Sequence, residues 1–414
     1  MVILSHPTGN ANVRHAAEGL REAGLLSEFW TCLAPTEKSA VMRMLPGGVR
    51  AQFLRRQLSP ELTPFVRTRP WCELGRFVAS RLKISSLTRH EVGLCSVDGV
   101  YRDLDRAVAA RIRRQPAGLK AVYNFEDGSL ETFRAAQALG LKRIYDLPIA
   151  YWRAGRKIFL EEAEREPEWA ATLDGLSDSA DKLARKDEEI RLADCVLVAS
   201  SFTKATLELA PDAPPAVHVV PYGAPVSAAA PVNEKRVGPL RVLFVGSLGQ
   251  RKGTSYLLRA CERLGAAVKL TLIGNRGVGE CGPLDAALRR HRWISSCPHS
   301  EVLGEMRRHD VLVFPSLFEG FGLVMLEAMS QGMTVITTPH TGGPDVLTDG
   351  EDGFIVPIRS EEAIAERLEI LASDPERLRA MKDAAARTAA TLSWAAYRTE
   401  TARIVSQSVI GKTR

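Results

Sequence analysis

The stretch VFPSLFEGFGLVMLEAM, residues 313–329, decides the fold class. Its apolar start predicts a buried strand that ends near Phe314, and its apolar end predicts a helix that begins near Leu323. Gly320 and Gly322 lie in the turn between them, where glycine permits unusual backbone angles and close approach by a ligand. A strand, a glycine turn and a helix in this order form the repeating unit of a parallel α/β sheet.

Strand-like runs on both sides of this stretch alternate with helical patterns. This alternation predicts a doubly wound parallel sheet over residues 240–392. In chain order, its runs are LRVLFVGS, VKLTLIGN, RWISSC, DVLVFPS, MTVITT and GFIVPI.

The N-terminal half shows the same rhythm and predicts a second Rossmann-like domain over residues 1–225. Its runs are MVIL, SEFWTCLA, LKAVYNF, KRIYDL, DCVLVAS and AVHVVPYG, and residues 150–192 form one long charged helical pattern. Residues 226–239, VSAAAPVNEKRVGP, are rich in small residues and proline and predict a linker. Ligands of such sheets bind at the carboxyl ends of the strands, so two facing domains place a site in the cleft between them.

The composition excludes several classes of protein. The chain has 414 residues, of which 45% are hydrophobic and 25% charged, as in ordinary globular proteins. We find no signal-peptide pattern and no apolar run of the length that a membrane helix needs. The seven cysteines are scattered without a C-x-x-C pair, so we expect reduced thiols in a cytoplasmic protein, with neither a disulfide framework nor a zinc site.

Two carboxylates stand out in the quoted stretch. Glu319 and Glu327 are the only acidic or strongly basic residues between positions 311 and 344. A carboxylate accepts hydrogen bonds from hydroxyl groups, and a helix start offers N–H groups to an anion. Together they suit a polyol that carries a phosphate, such as a nucleotide sugar. The alternative is a helix cap plus a structural ion pair. The segment contains no cation for such a pair, which argues against this alternative.

A second strand–turn–helix unit, VLFVGSLGQRKGTSYLLRA, places Arg251 and Lys252 in a glycine-bearing turn. No acidic residue lies between Arg241 and Glu262, so the two cations have no local counterion. Arginine binds a phosphate through two N–H groups and lysine acts as a point charge. This pattern indicates an anionic ligand, and two solvated surface cations are the alternative.

The net charge of +6 is unevenly distributed. From Arg43 to Arg89 there are ten lysines or arginines and two acidic residues, interleaved with apolar and aromatic side chains. We predict a basic helical insert over about 41–115, which is either solvated or in contact with an anionic membrane surface. No nucleic-acid recognition motif accompanies the charge, so nucleic acid is not an expected partner.

Several N-terminal residues are weaker candidates. Gly9, in the turn HPTGN, either lets the backbone approach the groups of a bound donor or belongs to an ordinary turn. Glu126 and Asp127 follow a strand, and Asp146 is also placed just after one, so all three are candidate contacts to acceptor hydroxyls. For Glu126 and Asp127, the alternative is a turn with a helix N-cap. The D-x-D of residues 103–105 lies in a charged helical pattern, and we predict no metal site there.

These motifs resemble the GT-B glycosyltransferases of family 4, which retain the anomeric configuration of a nucleotide-sugar donor. The resemblance covers about residues 240–395. It includes the two glutamates eight positions apart in EGFGLVMLEAM, the run QGMTVITTPHTGGPDVLTDGEDGFIVP and the closing LSWAAY. The N-terminal half resembles the family in its strand–helix rhythm and its early HPTGN loop.

The resemblance implies a role for each matching residue. Glu319 would contact the donor sugar, Glu327 would bind the ribose hydroxyls and Lys252 would neutralise the diphosphate. The family carries an arginine directly after the first glycine of the basic turn, Gly246, but this chain has Ser247 there, with Arg251 as the nearest substitute. Sugar or phosphate oxygens would also meet backbone N–H groups of Gly320, Phe321, Gly322 and Leu323.

The family's histidine near the reacting carbon has no counterpart in RIYDLPIAYW, which offers Asp146 instead. The catalytic set implied is Arg251, Lys252 and Glu319, with the leaving phosphate as base, no metal and no cofactor beyond a UDP- or GDP-sugar substrate. The last helix, 393–414, would pack back on the N-terminal domain.

The function that follows is transfer of a sugar to a glycan or lipid-linked acceptor, in cell-surface or extracellular polysaccharide synthesis at the inner face of the plasma membrane. A non-catalytic nucleotide-sugar-binding subunit, a phosphorylase and an epimerase are the alternatives.

Overall fold

A computed structural model describes residues 1–36, 47–54, 56–173, 175–212, 216–225, 238–277 and 279–410. Within them the chain forms two parallel sheets, each flanked by helices. The predicted fold class, two Rossmann-like doubly wound domains, is confirmed.

The N-terminal sheet has seven strands, all paired in parallel, in the order β3-β2-β1-β4-β5-β6-β7. The strands are β1 Val2–Ser5, β2 Leu26–Thr31, β3 Val66–Thr68, β4 Ala121–Phe125, β5 Lys142–Leu147, β6 Cys195–Val198 and β7 Val217–Val219. Every residue of β1, β4 and β6 is buried, as expected for strands covered by helices on both faces.

The C-terminal sheet has six parallel strands in the order β10-β9-β8-β11-β12-β13. The strands are β8 Leu240–Val245, β9 Val268–Ile273, β10 Arg292–Ile294, β11 Val311–Phe314, β12 Thr334–Thr337 and β13 Gly353–Ile355. The strand order reverses between β8 and β11, and ligands bind beyond the carboxyl ends of strands at such a switch point. The turns after these two strands carry the predicted donor residues.

The described α-helices number seventeen. They are α1 Ala11–Glu22, α2 Gly47–Leu54, α3 Trp71–Arg81, α4 Ser85–Thr88, α5 Val97–Ile112, α6 Leu130–Ala138, α7 Trp152–Arg165, α8 Ala180–Leu192, α9 Ser201–Thr206, α10 Thr254–Leu264, α11 Gly282–Arg290, α12 His299–Arg307, α13 Leu323–Ser330, α14 Gly343–Val346, α15 Glu361–Ser373, α16 Pro375–Thr391 and α17 Trp394–Ile410. None of the described helices is long and apolar enough to span a bilayer.

Two predicted segments differ from the structure. The charged pattern at 150–192 is two helices, α7 and α8, separated by the 3₁₀ turn Pro167–Thr172, because Pro167 cannot continue a helix. The predicted insert at 41–115 is in part integral to the domain. Its β3 pairs with β2 at the sheet edge, and the apolar face of α5 lies in the core. Residues 37–46 and most of the predicted linker, 226–237, lie outside the described residues.

The N-terminal chain also contributes to the C-terminal domain. Trp169 is buried in the core that contains β8 and β9. The fully buried Glu162 of α7 accepts hydrogen bonds from the Gln250 amide and the Tyr256 hydroxyl, each at 2.7 Å, and from Arg359 Nε at 2.7 Å. A buried carboxylate is stable when all its partners are in place, so this contact joins the two domains tightly.

The last helix, α17, packs against α1 of the N-terminal domain. Trp394 stacks on His15 with ring centroids 4.2 Å apart, and Arg398 Nε donates to the Glu22 carboxylate at 3.1 Å. A Cβ at Gly19 would lie 2.6 Å from the carbonyl oxygen of Arg398, so the two helices approach closely at this glycine. Residues 393–410 therefore belong spatially to the N-terminal domain.

Candidate functional site

Glu319 lies in the loop after β11 and is only 8% exposed. Its Oε1 accepts a hydrogen bond from Arg251 Nη1 at 3.0 Å and also contacts Lys252 Nζ. The apolar neighbours of Glu319 in sequence suggested an unpaired carboxylate. In the structure it is paired with two cations. Its partners come from a turn 67 and 68 positions away.

The two cations are placed by the 3₁₀ turn Gln250–Lys252, which follows β8. The turn ends at Gly253 with φ +66°, and a Cβ there would lie 2.1 Å from the carbonyl oxygen of Pro315. Burial lowers the pKa of Lys252, which also lies 4.8 Å from the centroid of the Phe314 ring. Two cations share one carboxylate, so the cluster keeps one net positive charge for an anionic ligand.

The N-terminus of α13 is beside Glu319 in sequence and carries no capping side chain and no acid in its first turn. Gly322 precedes the helix at φ +92°. Among the described residues, the structure shows no hydrogen-bond acceptor for the amides of Phe321, Gly322 and Leu323. Free N–H groups at a helix start, with the positive end of its dipole, suit phosphate or sugar oxygens.

Gly320 lies where the two domains touch. Its carbonyl oxygen accepts a hydrogen bond from Thr203 Oγ1 at 3.0 Å, and Ser200 Oγ donates to the same oxygen. A Cβ at Gly320 would lie 1.9 Å from the carbonyl oxygen of Pro148. The loop that carries Glu319 is therefore held from the N-terminal side as well.

Glu327 lies on α13, and its Oε1 is 2.9 Å from Nε2 of His299, which begins α12. The hydrogen bond to Glu327 raises the pKa of His299. Our sequence interpretation did not include His299, because nothing near it in sequence links it to Glu327. In this pair the Glu327 side chain remains partly exposed, so its carboxylate can accept further hydrogen bonds from hydroxyl groups.

Three predicted backbone positions lie at strand ends. Gly246 follows β8 at φ +154°, and Ser247 beside it is exposed. Gly9 follows β1 at φ +59°, and its amide donates to Nδ1 of His6 at 3.2 Å. Burial lowers the pKa of His6 to about 3, so the ring is neutral and Nδ1 remains an acceptor for this turn.

The predicted acceptor residues differ in their surroundings. Glu126 lies past β4, where Lys186 Nζ is 3.1 Å from its Oε1. Asp127 adopts φ +68°, and its amide donates to Glu189 at 2.9 Å. Asp146 does not follow a strand as predicted. It lies inside β5, buried, and accepts a hydrogen bond from the Tyr123 hydroxyl at 2.6 Å.

Burial raises the pKa of Asp146 to about 7. Strand residues alternate between the two faces of a sheet, and in this register Asp146 points into the core beside Tyr123. In this structure its carboxyl group is therefore enclosed by protein and is hydrogen-bonded to Tyr123.

The D-x-D acids have structural partners. Asp103 receives Arg69 Nε at 3.0 Å, and Asp105 accepts the amides of Glu131 and Thr132 at 2.8 and 2.9 Å. Among the described residues, one group of three potential metal ligands, His90 with Glu91 and Asp178, has ligand atoms within 4.8 Å of one another. Lys182 Nζ lies 3.0 Å from Asp178 and occupies part of that cluster.

A cavity of about 260 Å³ lies between the domains beside the donor cluster. Its polar wall includes Arg251 from the C-terminal domain and Glu126, Lys186, Arg156 and Asp178 from the N-terminal domain. The apolar wall consists of Ile149, Ala150, Trp152, Phe159, Leu183 and Phe318. An acceptor in this cavity would lie next to the cations that hold Glu319.

The family model for glycosyl transferases group 1 matches residues 227–388. These residues contain the basic turn, the Glu319 loop and α13, all described above. Because this C-terminal domain matches the family model, we call it the group 1 domain.

Curated relatives of the group 1 domain include a glycogen synthase of Mycobacterium tuberculosis, 30% identical over 178 residues. A D-inositol 3-phosphate glycosyltransferase of Corynebacterium aurimucosum is 30% identical over 181 residues. Each alignment covers 41% of this chain and 43% of the relative. The chain thus matches less than half the length of these relatives.

Solved structures extend the likeness to the whole chain. A sucrose-phosphate synthase of Thermosynechococcus elongatus has a TM-score of 0.69 at 18% identity, over 99% of both chains. Anabaena Alr3699/HepE in complex with UDP-glucose has a TM-score of 0.64 at 14% identity, over 98% of this chain and 99% of the other. The group 1 domain and its N-terminal partner domain together have the GT-B fold of these proteins.

Proposed function

We propose that the protein is a retaining glycosyltransferase that transfers a sugar from a nucleoside-diphosphate donor. The observation that carries the proposal is the cluster of Arg251, Lys252 and Glu319 beside the free N-terminus of α13. One net positive charge and a free helix start match a diphosphate, and a buried carboxylate matches sugar hydroxyls. The names of the curated relatives, and UDP-glucose bound to HepE, support this reading.

In the proposed mechanism, donor binding redistributes the contacts of the cluster. Arg251 and Lys252 bind the diphosphate, and the Glu319 carboxylate accepts hydrogen bonds from the sugar hydroxyls. Glu327, which lies on α13, accepts hydrogen bonds from the ribose hydroxyls. Cationic stabilisation of the leaving diphosphate and alignment of the acceptor then supply the rate enhancement, and the leaving phosphate takes the acceptor proton.

We also propose the finer features. The base is uracil or guanine, and the reaction needs no metal because the two cations neutralise the diphosphate. The acceptor is a glycan or a lipid-linked glycan in cell-surface or extracellular polysaccharide synthesis, at the cytoplasmic face of the membrane. The cavity lined by Arg251, Glu126 and Lys186 is the place for the acceptor group.

The test begins with the purified full chain and a panel of UDP- and GDP-sugars. One donor is expected to raise the melting temperature and to be hydrolysed slowly without an acceptor, also in the presence of a chelator. The released sugar is expected to keep the anomeric configuration of the donor when followed by NMR.

Other outcomes would overturn the proposal. Donor binding without hydrolysis or transfer to any acceptor would indicate a non-catalytic subunit. Dependence on inorganic phosphate would indicate a phosphorylase, and interconversion of free nucleotide sugars would indicate an epimerase. Inversion of configuration would contradict the retaining mechanism.

A further inference from the structure

Exposed large apolar side chains are concentrated in one part of the described chain. Of the twelve that are more than about a third exposed, eight fall between residues 71 and 97. Trp71 is 72% exposed, Leu94 66% and Leu82 65%. We call this set the apolar face: Trp71, Val78, Leu82, Ile84, Leu87, Val92, Leu94 and Val97. Scattered single apolar residues need no explanation, but such a concentration indicates a binding surface.

The apolar face belongs to one folded unit. The chain after α3 folds back, so that the amide of Cys95 donates to the carbonyl of Leu87 at 2.9 Å and that of Gly93 to Arg89 at 2.8 Å. A Cβ at Gly75 of α3 would lie 2.7 Å from Cys95 Sγ. The exposed side chains are thus carried on a backbone that the structure holds in place.

Cations accompany the apolar face. Arg81, Lys83 and Arg89 are exposed and have no ion-pair partner among the described residues. By contrast, Arg56 and Arg76 both pair with the buried Glu73, at 2.5 and 2.6 Å. Those two arginines stabilise the domain, whereas the other three remain available to an anionic partner.

The apolar face adjoins the cavity between the domains. His90 Nε2 lies 3.1 Å from Asp178, and Lys182 Nζ lies 3.0 Å from Asp98. The amide of Ser179 donates to Glu91 at 2.8 Å. Asp178 lines the cavity that contains Arg251, and it also lines a wider groove with the exposed Arg156 and Lys157.

We propose that the apolar face docks on an anionic phospholipid bilayer, so that a membrane-bound acceptor reaches the cavity beside Arg251. Aromatic and aliphatic side chains insert at the bilayer interface, and unpaired arginine and lysine bind anionic headgroups. The charge beside the face favours this surface over an apolar protein partner. The docking stands on the exposed surface alone, whereas delivery of the acceptor rests on the proposed function.

Vesicle flotation tests the docking. The full chain is expected to float with vesicles that contain phosphatidylserine, less with pure phosphatidylcholine, and to be released as the salt concentration rises. The double variant Leu82→Ser/Leu94→Ser and the triple variant Arg81→Glu/Lys83→Glu/Arg89→Glu are each expected to reduce binding at least tenfold.

Matched controls come from elsewhere on the surface. Leu209→Ser changes an apolar residue that is 48% exposed, and Arg113→Glu/Arg114→Glu/Lys120→Glu makes the same change of charge on three exposed cations. Both controls are expected to bind like the original chain. Melting curves and nucleotide-sugar binding without vesicles are expected to be the same for all variants.

Four results would overturn the docking. They are no binding to either vesicle, equal binding to both, loss of binding in the controls to the same degree, and a dimer in sedimentation that Leu82→Ser/Leu94→Ser dissociates. A failure of the proposed function would show separately, as absence of donor binding by the original chain while its flotation is retained.

Discussion

The two domains place acids at the carboxyl ends of parallel strands, but they use them differently. In the C-terminal domain, Glu319 lies beyond its strand and meets two cations from another loop. In the N-terminal domain, Asp146 lies one residue inside the end of its strand and faces the core, where Tyr123 holds it. One acid is thus paired with two cations in a loop, and the other is hydrogen-bonded to a tyrosine inside the fold.

This difference shows that position along the sequence is not enough to identify a site residue. A carboxylate at a strand end can bind a ligand only if its side chain points away from the core. Any cationic side chain paired with it must also be able to bind the ligand instead. Glu126 is intermediate, because it lies beyond β4 and lines the cavity but is held by Lys186. Four experiments test this difference between the two domains.

The largest effect is expected for Glu319→Gln. Turnover should fall by about 10²–10³-fold, because a preorganised contact to the reacting sugar is lost. Binding of the free nucleoside diphosphate should not weaken, since the change releases Arg251 and Lys252 from their carboxylate. Single-turnover kinetics and calorimetry separate the two quantities. Unchanged turnover would show that Glu319 does not contact the reacting sugar.

A smaller effect is expected for Lys252→Met. The affinity for the nucleoside diphosphate should fall by roughly 10–100-fold, because one charge-assisted contact to phosphate disappears. Lys157→Met, an exposed lysine of the groove beside the cavity, is the control and should leave that affinity unchanged. Equal affinities of the two variants would show that Lys252 only neutralises Glu319.

Gly322→Ala tests whether the helix start is preorganised. At φ +92° a Cβ would lie 2.6 Å from the Phe314 ring, so we expect a loss of roughly 1–3 kcal/mol in the free energy of unfolding. Gly24→Ala is the matched control, because Gly24 has φ +67° but nothing within 4 Å of its Cβ position. Chemical denaturation measures both, and equal losses would mean that backbone strain alone matters.

The smallest effect on activity is expected for Asp146→Asn. Because burial raises the pKa of Asp146 to about 7, the folded state holds this proton more tightly than the unfolded state. Its contribution to stability is therefore present at low pH and is lost as the pH rises from about 4 to 7. Asparagine should remove that slope and leave turnover within about twofold. A loss of turnover as large as that of Glu319→Gln would restore Asp146 as an acceptor residue.

The sequence predicted both sheets, because each strand–turn–helix unit is local and apolar. It also predicted the turns that carry the proposed donor residues, since glycines and charges within one short stretch imply a turn that can hold a ligand. The pairing of Glu319 with Arg251 was not predictable in this way, because it joins two loops that only the fold brings together. The orientation of Asp146 depends on where β5 ends to within one residue, and a one-residue shift moves a side chain to the other face.

The buried contact of Glu162 with Gln250, Tyr256 and Arg359 has a consequence for protein engineering. An exchange of domains with a relative, cut at the predicted linker, would leave three polar groups of the group 1 domain without their carboxylate and its core without Trp169. A working chimera would have to carry residues 158–172 together with the C-terminal half. The residues that must be exchanged together are therefore not contiguous in the sequence.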